Sequence, residues 1–169
     1  KDLRDLSGAG MMDAKKALLA CDGVMEEAVD WLRTKGLAKA AKKADRVASD
    51  GLIGVHASNE GVVAVEINSE TDFVAKNDEF QEMVRDISIV AMNADSVESL
   101  LSKSIGEKAI KDVITDKIRV IGENLTVRRM VKLEGKNVAH YIHNSVGKGL
   151  GKLAVLVAYE GENGDMARQ

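Results

Sequence analysis

The chain has no proline, few aromatic residues and a single cysteine. Its 169 residues include one Trp, two Tyr and two Phe, so the core must be built from aliphatic side chains. A lone cysteine, Cys21, forms no disulfide within the chain, which favours a reducing compartment. Without proline, glycine is the main residue that marks turns.

Long apolar runs are also missing. No stretch approaches the ~20 apolar residues that cross a bilayer, and no secretory signal is visible. We therefore expect no membrane contact and a cytoplasmic location, in a bacterium or in an organelle matrix. The chain begins at Lys1, so a processed or trimmed start stays open.

Charge is distributed unevenly, although the net charge is only −3. Positions 33–46 carry six cations against one acid, whereas positions 57–100 carry ten acids against two cations. The cations spaced for one helix face are Lys39, Lys42, Lys43 and Arg46. Such a run is usually a solvated face, and contact with RNA is the alternative. The acidic middle favours a neutral or basic partner surface.

Hydrophobic spacing predicts an α+β protein. Residues 1–36 predict a three-helix bundle whose third helix ends at Gly36. Residues 37–50 predict an exposed helical linker, because they contain strong helix formers but few large apolar groups. A domain boundary is expected at the end of this linker, and the rest of the chain is mixed α and β.

The second helix of the bundle is predicted for "MMDAKKALLAC". Its core stripe consists of Met11, Ala14, Leu18 and Cys21. Met12 lies about 100° around the helix from Met11 and shares a side with Lys16. We interpret Met11 as core. For Met12, core filling and partner binding both stay open, since an exposed methionine is common on binding surfaces.

Beyond residue 50 the predicted order is ββααβββ. The runs "LIGVHA" and "VVAVEI" predict a β-hairpin, and helices are expected over about 78–93 and 107–121. The strands that follow are predicted for "NLTVRRMVKLEG", "NVAHYIH" and "KLAVLVAYEG", with a turn at 134–137 joining the first two. Because hairpins dominate, we expect an antiparallel sheet with helices on one face.

No pattern typical of an active site occurs. The run "GKGLGK" at 147–152 fails the P-loop pattern, because Val146 and Leu153 stand where that pattern needs Gly and Ser or Thr. A flexible hairpin loop is the better interpretation. His140 and His143 lie three apart on a predicted strand, so they face opposite sides and do not share a metal. The sequence predicts no catalytic residue, no metal site and no cofactor.

The stretch "SETDFVAKN" places Phe73 among acids and polar residues, outside every core stripe. Ser69 with Asp72 fits one capping box, and Asp78 with Gln81 fits another, so a helix break is expected between them. A bulky apolar side chain on such a short turn is typical of an interface anchor. The alternative is a hydrophobic staple, in which Phe73 folds back on its own domain.

Two long motifs resemble a known family. "LRDLSGAGMMDAKKAL" (3–18) and "EINSETDFVAK" (66–76) resemble the two signature motifs of elongation factor Ts, and "IGENLTVRR" (121–129) is similar to a third segment of that family. Their order and spacing suit the family, and the resemblance covers essentially the whole chain. Ser7 and Ala14 are small departures, since Thr and Cys are common there.

The resemblance implies a guanine nucleotide exchange factor, not an enzyme, that promotes GDP release from elongation factor Tu. Its bundle would be ubiquitin-associated-like and would dock on the GTPase. The Thr-Asp-Phe turn would wedge beside a GTPase helix and disturb the magnesium and phosphate site. The positions that match partner contacts are Arg4, Met11, Met12, Thr71, Asp72, Phe73, Val74, Ile121 and Gly122.

The resemblance also divides the mixed part of the chain. It implies a first core subdomain over 51–135 and the beginning of a second over 136–169, which the chain leaves incomplete. It implies no direct nucleotide binding, and no nucleic-acid partner is expected. The alternative function is a helical adaptor whose basic linker touches RNA, and an enzyme is the third possibility.

Overall fold

The computed structural model describes residues 1–161 and confirms the α+β class. The helices are α1 Asp2–Ser7, α2 Met11–Ala20, α3 Met25–Ala41, α4 Asp72–Ala75, α5 Asp78–Ala91, α6 Val97–Ser102 and α7 Ile110–Ile121. The strands are β1 Leu52–Ser58, β2 Gly61–Asn68, β3 Ser104–Ile105, β4 Lys108–Ala109, β5 Thr126–Glu134, β6 Val138–His143, β7 Leu150–Gly151 and β8 Leu153–Ala158. Within the described range, no helix is both long enough and apolar enough to cross a bilayer.

Helices α1–α3 form the bundle around a core of small side chains. Its buried members are Leu3, Ala9, Ala14, Ala17, Ala28 and Leu32. The interpretation of Met11 as core is wrong, because its side chain is 68% exposed. Alanines let the helices approach closely, and Met11, in the first turn of α2, lies beyond that contact. Leu18 and Cys21 pack at the edge and are only partly buried.

Helix α3 does not end at Gly36 as predicted but continues to Ala41. Gly36 is buried inside the helix, and a Cβ there would lie 3.4 Å from Cδ of Arg119 on α7. This glycine therefore permits a close approach between α3 and α7 instead of capping a helix. The linker is also anchored, because the Lys43 ammonium donates to the Gly122 carbonyl and Ala40 packs against the main core.

The main sheet is antiparallel, with the strand order β5-β2-β1-β7. The predicted hairpin between β1 and β2 is confirmed, with Ser58 paired to Gly61. Strand β2 is central and buried on both faces. Val63 and Val65 point into the main core and Val62 into a second cluster, as the period of two requires.

Helices cover one face of this sheet, as predicted. Helix α5 contributes its expected stripe, and Phe80, Val84 and Ile87 are fully buried. Ile110, Ile114 and Ile118 add the buried stripe of α7. This continuous aliphatic core, with one buried phenylalanine, fixes the positions of α5 and α7 on the sheet.

The opposite face is covered by a separate two-stranded sheet, β6-β8. Although β5 and β6 are joined by a short turn, β6 pairs with β8 and β5 pairs with β2. Side chains of this hairpin pack on Val55, Val62 and Ala64 and so close the second cluster. The run "GKGLGK" is not simply a loop, because Leu150 is buried and pairs with Gly54 on β1.

We expect Gly54→Ala to destabilise the protein. A Cβ at Gly54 would lie 2.0 Å from Oγ of Ser88 and 3.0 Å from the Val84 carbonyl oxygen, so α5 would have to move away from β1. Such overpacking costs ~1–3 kcal/mol. Thermal melts check this, with Gly147→Ala as the control, since a Cβ there meets only the Arg85 guanidinium at 3.5 Å. Equal melting temperatures for both variants would contradict the close contact.

We propose that the bundle, the linker and the core differ in local stability and that the linker is the least stable of the three. The loop that follows α3 is largely exposed and has no regular structure before Leu52. Limited trypsin digestion should therefore cut first after Lys42, Lys43 or Arg46. A first cut inside α5 would contradict the proposed boundary. The end of the proposed second subdomain, 162–169, lies outside the described residues.

Candidate functional site

Phe73 projects from a short helical turn. It is the second residue of the four-residue helix α4, and its side chain is 76% exposed. The next two residues point the other way, since Val74 is 7% exposed and Ala75 is 1% exposed. The phenyl ring therefore does not fold back on the protein, as a hydrophobic staple would require. The turn presents one large aromatic ring on a base that is packed into the core.

The predicted break between two helices is present, but the capping residues differ from those expected. Helix α5 begins after Asn77, whose Oδ1 accepts from the Phe80 N–H at 3.0 Å. The Ser69 hydroxyl does not cap α4 but donates to the Thr71 carbonyl at 2.9 Å. Both capping boxes were assigned from spacing alone. Asn77 caps α5 instead, and α4 begins without a side-chain cap.

Charges surround the exposed ring. The Lys76 ammonium lies 2.9 Å from Oδ2 of Asp72 and 5.6 Å from the centroid of the Phe73 ring. These three side chains are exposed, so the ion pair contributes little to stability. Its effect is to place one carboxylate and one ammonium beside an apolar contact surface.

The segment after α7 holds the base of this turn. Gly122 ends α7 with a φ of 88°, a left-handed conformation that favours glycine. Glu123 follows, and its Oε2 accepts from the N–H groups of Glu70 and Thr71, each at 3.0 Å. Its Oε1 accepts from the Thr71 hydroxyl at 2.6 Å. Sequence reasoning missed Glu123, although an acid directly after a helix-capping glycine was a signal.

The remaining predicted positions near the turn differ in accessibility. Val74 was predicted to contact a partner, but its side chain is buried in the core and anchors the turn instead. Thr71, Ile121 and Gly122 are half-buried. Ile121 packs against the main core while Asp72 stays exposed at the start of α4. The surface that the turn offers is therefore Asp72 and Phe73, with the end of α7 behind them.

A second exposed apolar patch lies on the bundle. Met12 is 64% exposed, and Met11 lines a groove together with Arg4 and Leu19. The three predicted docking residues, Arg4, Met11 and Met12, are thus all at the surface. For Met12 the exposure excludes core filling, and partner binding stays a prediction.

A buried arginine links the patch on the bundle to the core. The Arg119 side chain is 6% exposed, and its Nη2 donates to the Ser7 carbonyl at the end of α1 at 2.7 Å. A Cβ at Gly8 or at Gly36 would also contact this side chain, so the guanidinium fills the space between α1, α3 and α7. The bundle is therefore fixed on the same helix whose end supports the Phe73 turn.

Most cations of the basic run have hydrogen-bond or ion-pair partners within the protein. Lys39 pairs with Asp13 at 3.1 Å, Arg46 lies 3.5 Å from Oε1 of Glu70, and Lys43 donates to the carbonyl at the end of α7. These cations tie the end of α3 and the loop after it to the rest of the chain. Among the described residues, no cluster of His, Cys, Asp and Glu has the arrangement of a metal site.

Two exposed apolar surfaces, the methionine patch on the bundle and the Phe73 turn, are both held by α7 and the segment after it. The family model described as elongation factor TS matches residues 70–169, which include the turn and the end of α7. The chain belongs to the elongation factor Ts family. The match covers more than half of the chain, and the resemblance carried by the motifs is thereby confirmed.

Elongation factor Ts proteins of several bacteria are similar over all or nearly all of the chain. The protein of Jannaschia sp. (strain CCS1) is 57% identical over all 169 residues, which make up 58% of its own length. That of Ruegeria pomeroyi is 57% identical with the same coverage. That of Paracoccus denitrificans is 56% identical over 96% of this chain and 55% of its own length. The chain thus spans a little over half the length of these relatives.

Proposed function

We propose that this chain is a guanine nucleotide exchange factor that promotes GDP release from elongation factor Tu. The observation that carries the proposal is the exposure of Phe73 on a turn whose neighbouring residues are buried. A large aromatic ring held in water costs free energy unless a partner covers it. Membership of the elongation factor Ts family supports the choice of that partner.

The proposed mechanism requires binding and no bond-making chemistry. An exchange factor binds the nucleotide-free GTPase more tightly than the loaded one, and by linkage it weakens nucleotide binding by the same factor. Each tenfold of weakening takes about 1.4 kcal/mol of differential contact. One buried aromatic anchor supplies ~2–4 kcal/mol, which is enough for a factor of 30 or more.

The two exposed patches would have different roles in binding and in exchange. We propose that the bundle docks on the GTPase through Arg4, Met11 and Met12, which provide contact with any nucleotide state. Phe73 and Asp72 would enter beside the magnesium and phosphate site and discriminate between states. Because Arg119 and Glu123 lie near the same end of α7, both patches would act as one rigid body.

Several further assignments belong to the same proposal. The factor would act on a GTPase in the cytoplasm and would itself neither bind the nucleotide nor catalyse a reaction. A nucleic-acid partner is not proposed, because three of the four cations in the basic run have partners within the protein.

The variant Phe73→Ala should separate binding from exchange. The ring is exposed, so the melting temperature should barely change, and the bundle should still dock. Losing ~2–3 kcal/mol of discrimination would slow stimulated GDP release about 30- to 150-fold. Stopped-flow release of fluorescent GDP from elongation factor Tu, with and without saturating factor, measures this effect.

The other phenylalanine supplies the matched control. Phe80 is fully buried, so Phe80→Ala should cost ~3–5 kcal/mol of stability. If the unaltered chain fails to accelerate GDP release, the proposed function is wrong. If Phe73→Ala exchanges at the normal rate, Phe73 is not the discriminating contact.

The variant Met12→Ala should weaken partner binding with little loss of stability. Its side chain is exposed on α2, whereas Leu32 is buried in the bundle core. Leu32→Ala should therefore destabilise the bundle by ~2–5 kcal/mol. Thermal melts and a binding titration of both variants check the contrast. Normal partner affinity in Met12→Ala would exclude this side chain from the docking surface.

A further inference from the structure

We infer that Glu123 is a positioning residue that fixes the direction in which Phe73 is presented, an inference that rests on the proposed function. The described hydrogen bonds of the Glu123 carboxylate go to Glu70 and Thr71 and not to Phe73. Its carboxylate binds the two peptide N–H groups and the hydroxyl that immediately precede α4. The chain enters the Phe73 turn through these groups, so the carboxylate determines the geometry of entry.

The two sides of the turn are held by different means. On the far side, Val74 and Ala75 are buried, and the Gln81 amide donates to the Ala75 carbonyl at 3.1 Å. On the near side, Thr71 is the N-cap of α4 but makes no capping bond with its side chain. The Thr71 hydroxyl is directed to Glu123 instead. The carboxylate therefore holds the two residues that precede α4, while α4 itself has no side-chain cap.

The contact between the segment after α7 and the entry to the turn is reciprocal, and this fixes how the two segments align. While Glu123 accepts from Glu70 and Thr71, the Asn124 N–H donates to Oε1 of Glu70 at 2.6 Å. The Asn124 side chain donates in turn to the Arg46 carbonyl at 2.8 Å. Segment 122–124 thus binds both the entry to the turn and the loop after α3.

A carboxylate suits this position better than an amide. Three donors converge on its two oxygens, and hydrogen bonds to a charged acceptor are stronger than bonds between neutral groups. Consecutive peptide N–H groups that face one anion form a nest, which is an arrangement that selects negative charge. In Glu123→Gln, one oxygen is lost, and the remaining contacts lose the charge.

The test compares Glu123→Ala and Glu123→Gln with the unaltered 169-residue chain. The maximal rate of stimulated GDP release at saturating factor should fall about tenfold or more in Glu123→Ala, since a charge-assisted hydrogen bond is worth at least that factor. The factor concentration for half-maximal effect should change less than about threefold, because the bundle still docks. The maximal rate with Glu123→Gln should lie between the rates with Glu123→Ala and with the unaltered chain.

Two further variants test the route through Thr71. Thr71→Val removes the hydroxyl but keeps the shape, and it should lower the maximal rate while Thr71→Ser restores it. In the combination of Thr71→Val with Glu123→Gln, the losses should be smaller than additive, because both changes remove the same contact. Glu82→Ala, which removes an exposed acid from α5, is the matched control and should behave as the unaltered chain does.

Amide hydrogen exchange gives a readout that needs no partner. The N–H groups of Glu70 and Thr71 should exchange about tenfold or more faster in Glu123→Ala, while the α5 amides keep their protection. If the unaltered chain fails to stimulate GDP release, the proposed function fails, and this exchange result alone decides the positioning role. Unchanged protection at both amides overturns it. The positioning role is also overturned if Glu123→Ala lowers the rate of GDP release, raises the half-maximal concentration in proportion and melts early. That pattern describes a general loss of fold.

Discussion

The left-handed turn at Gly122 connects parts of the protein that are far apart in sequence. Because this residue ends α7 and reverses the chain, its carbonyl meets the Lys43 ammonium, and the next two side chains reach in different directions. Glu123 binds the entry to the Phe73 turn, and Asn124 binds the loop after α3. One backbone conformation thereby sets three long-range contacts, and a residue with a Cβ would be strained there.

The orientation of the bundle depends on Arg119, which lies one turn earlier in α7. Arg119 can lie almost fully buried because its guanidinium donates to the Ser7 carbonyl and has Asp116 at 3.8 Å. Gly8 and Gly36 leave room for this long side chain. A buried cation is costly unless it is paired and hydrogen-bonded, so this arrangement strongly favours one orientation of the bundle over others. The distance between the methionine patch and Phe73 is therefore set by the packing on α7.

Features that arise from local periodicity could be predicted from the sequence. Features that depend on residues distant in the chain could not. The stripe around Phe80 and the hairpin ending at Ser58 were predicted well, because each depends on spacing within one segment. The helix end assigned to Gly36 was wrong, since only the approach of Arg119 explains a glycine there. Met11 has core spacing, but no neighbouring helix covers it. Phe73 lies outside every stripe, but the sequence left open whether its ring is exposed or folds back as a staple.

The support of the candidate site could not be predicted for the same reason. Glu123 acts on peptide N–H groups 52 and 53 residues earlier in the chain, and main-chain donors leave no pattern of side chains to recognise. The pairing of β6 with β8 was missed similarly, because a turn of four residues after β5 suggested a local hairpin. In the structure, the buried cluster on the second face of β2 selects the other pairing.

The sequence separation of Glu123 from the Phe73 turn also orders events during synthesis. The bundle and the β1–β2 hairpin consist of neighbouring segments, which form early because short loops are closed at little entropic cost. The near side of the turn is held only when residue 123 has left the ribosome and α7 has packed on the sheet. A chain interrupted before that point would carry the methionine patch without a fixed phenylalanine.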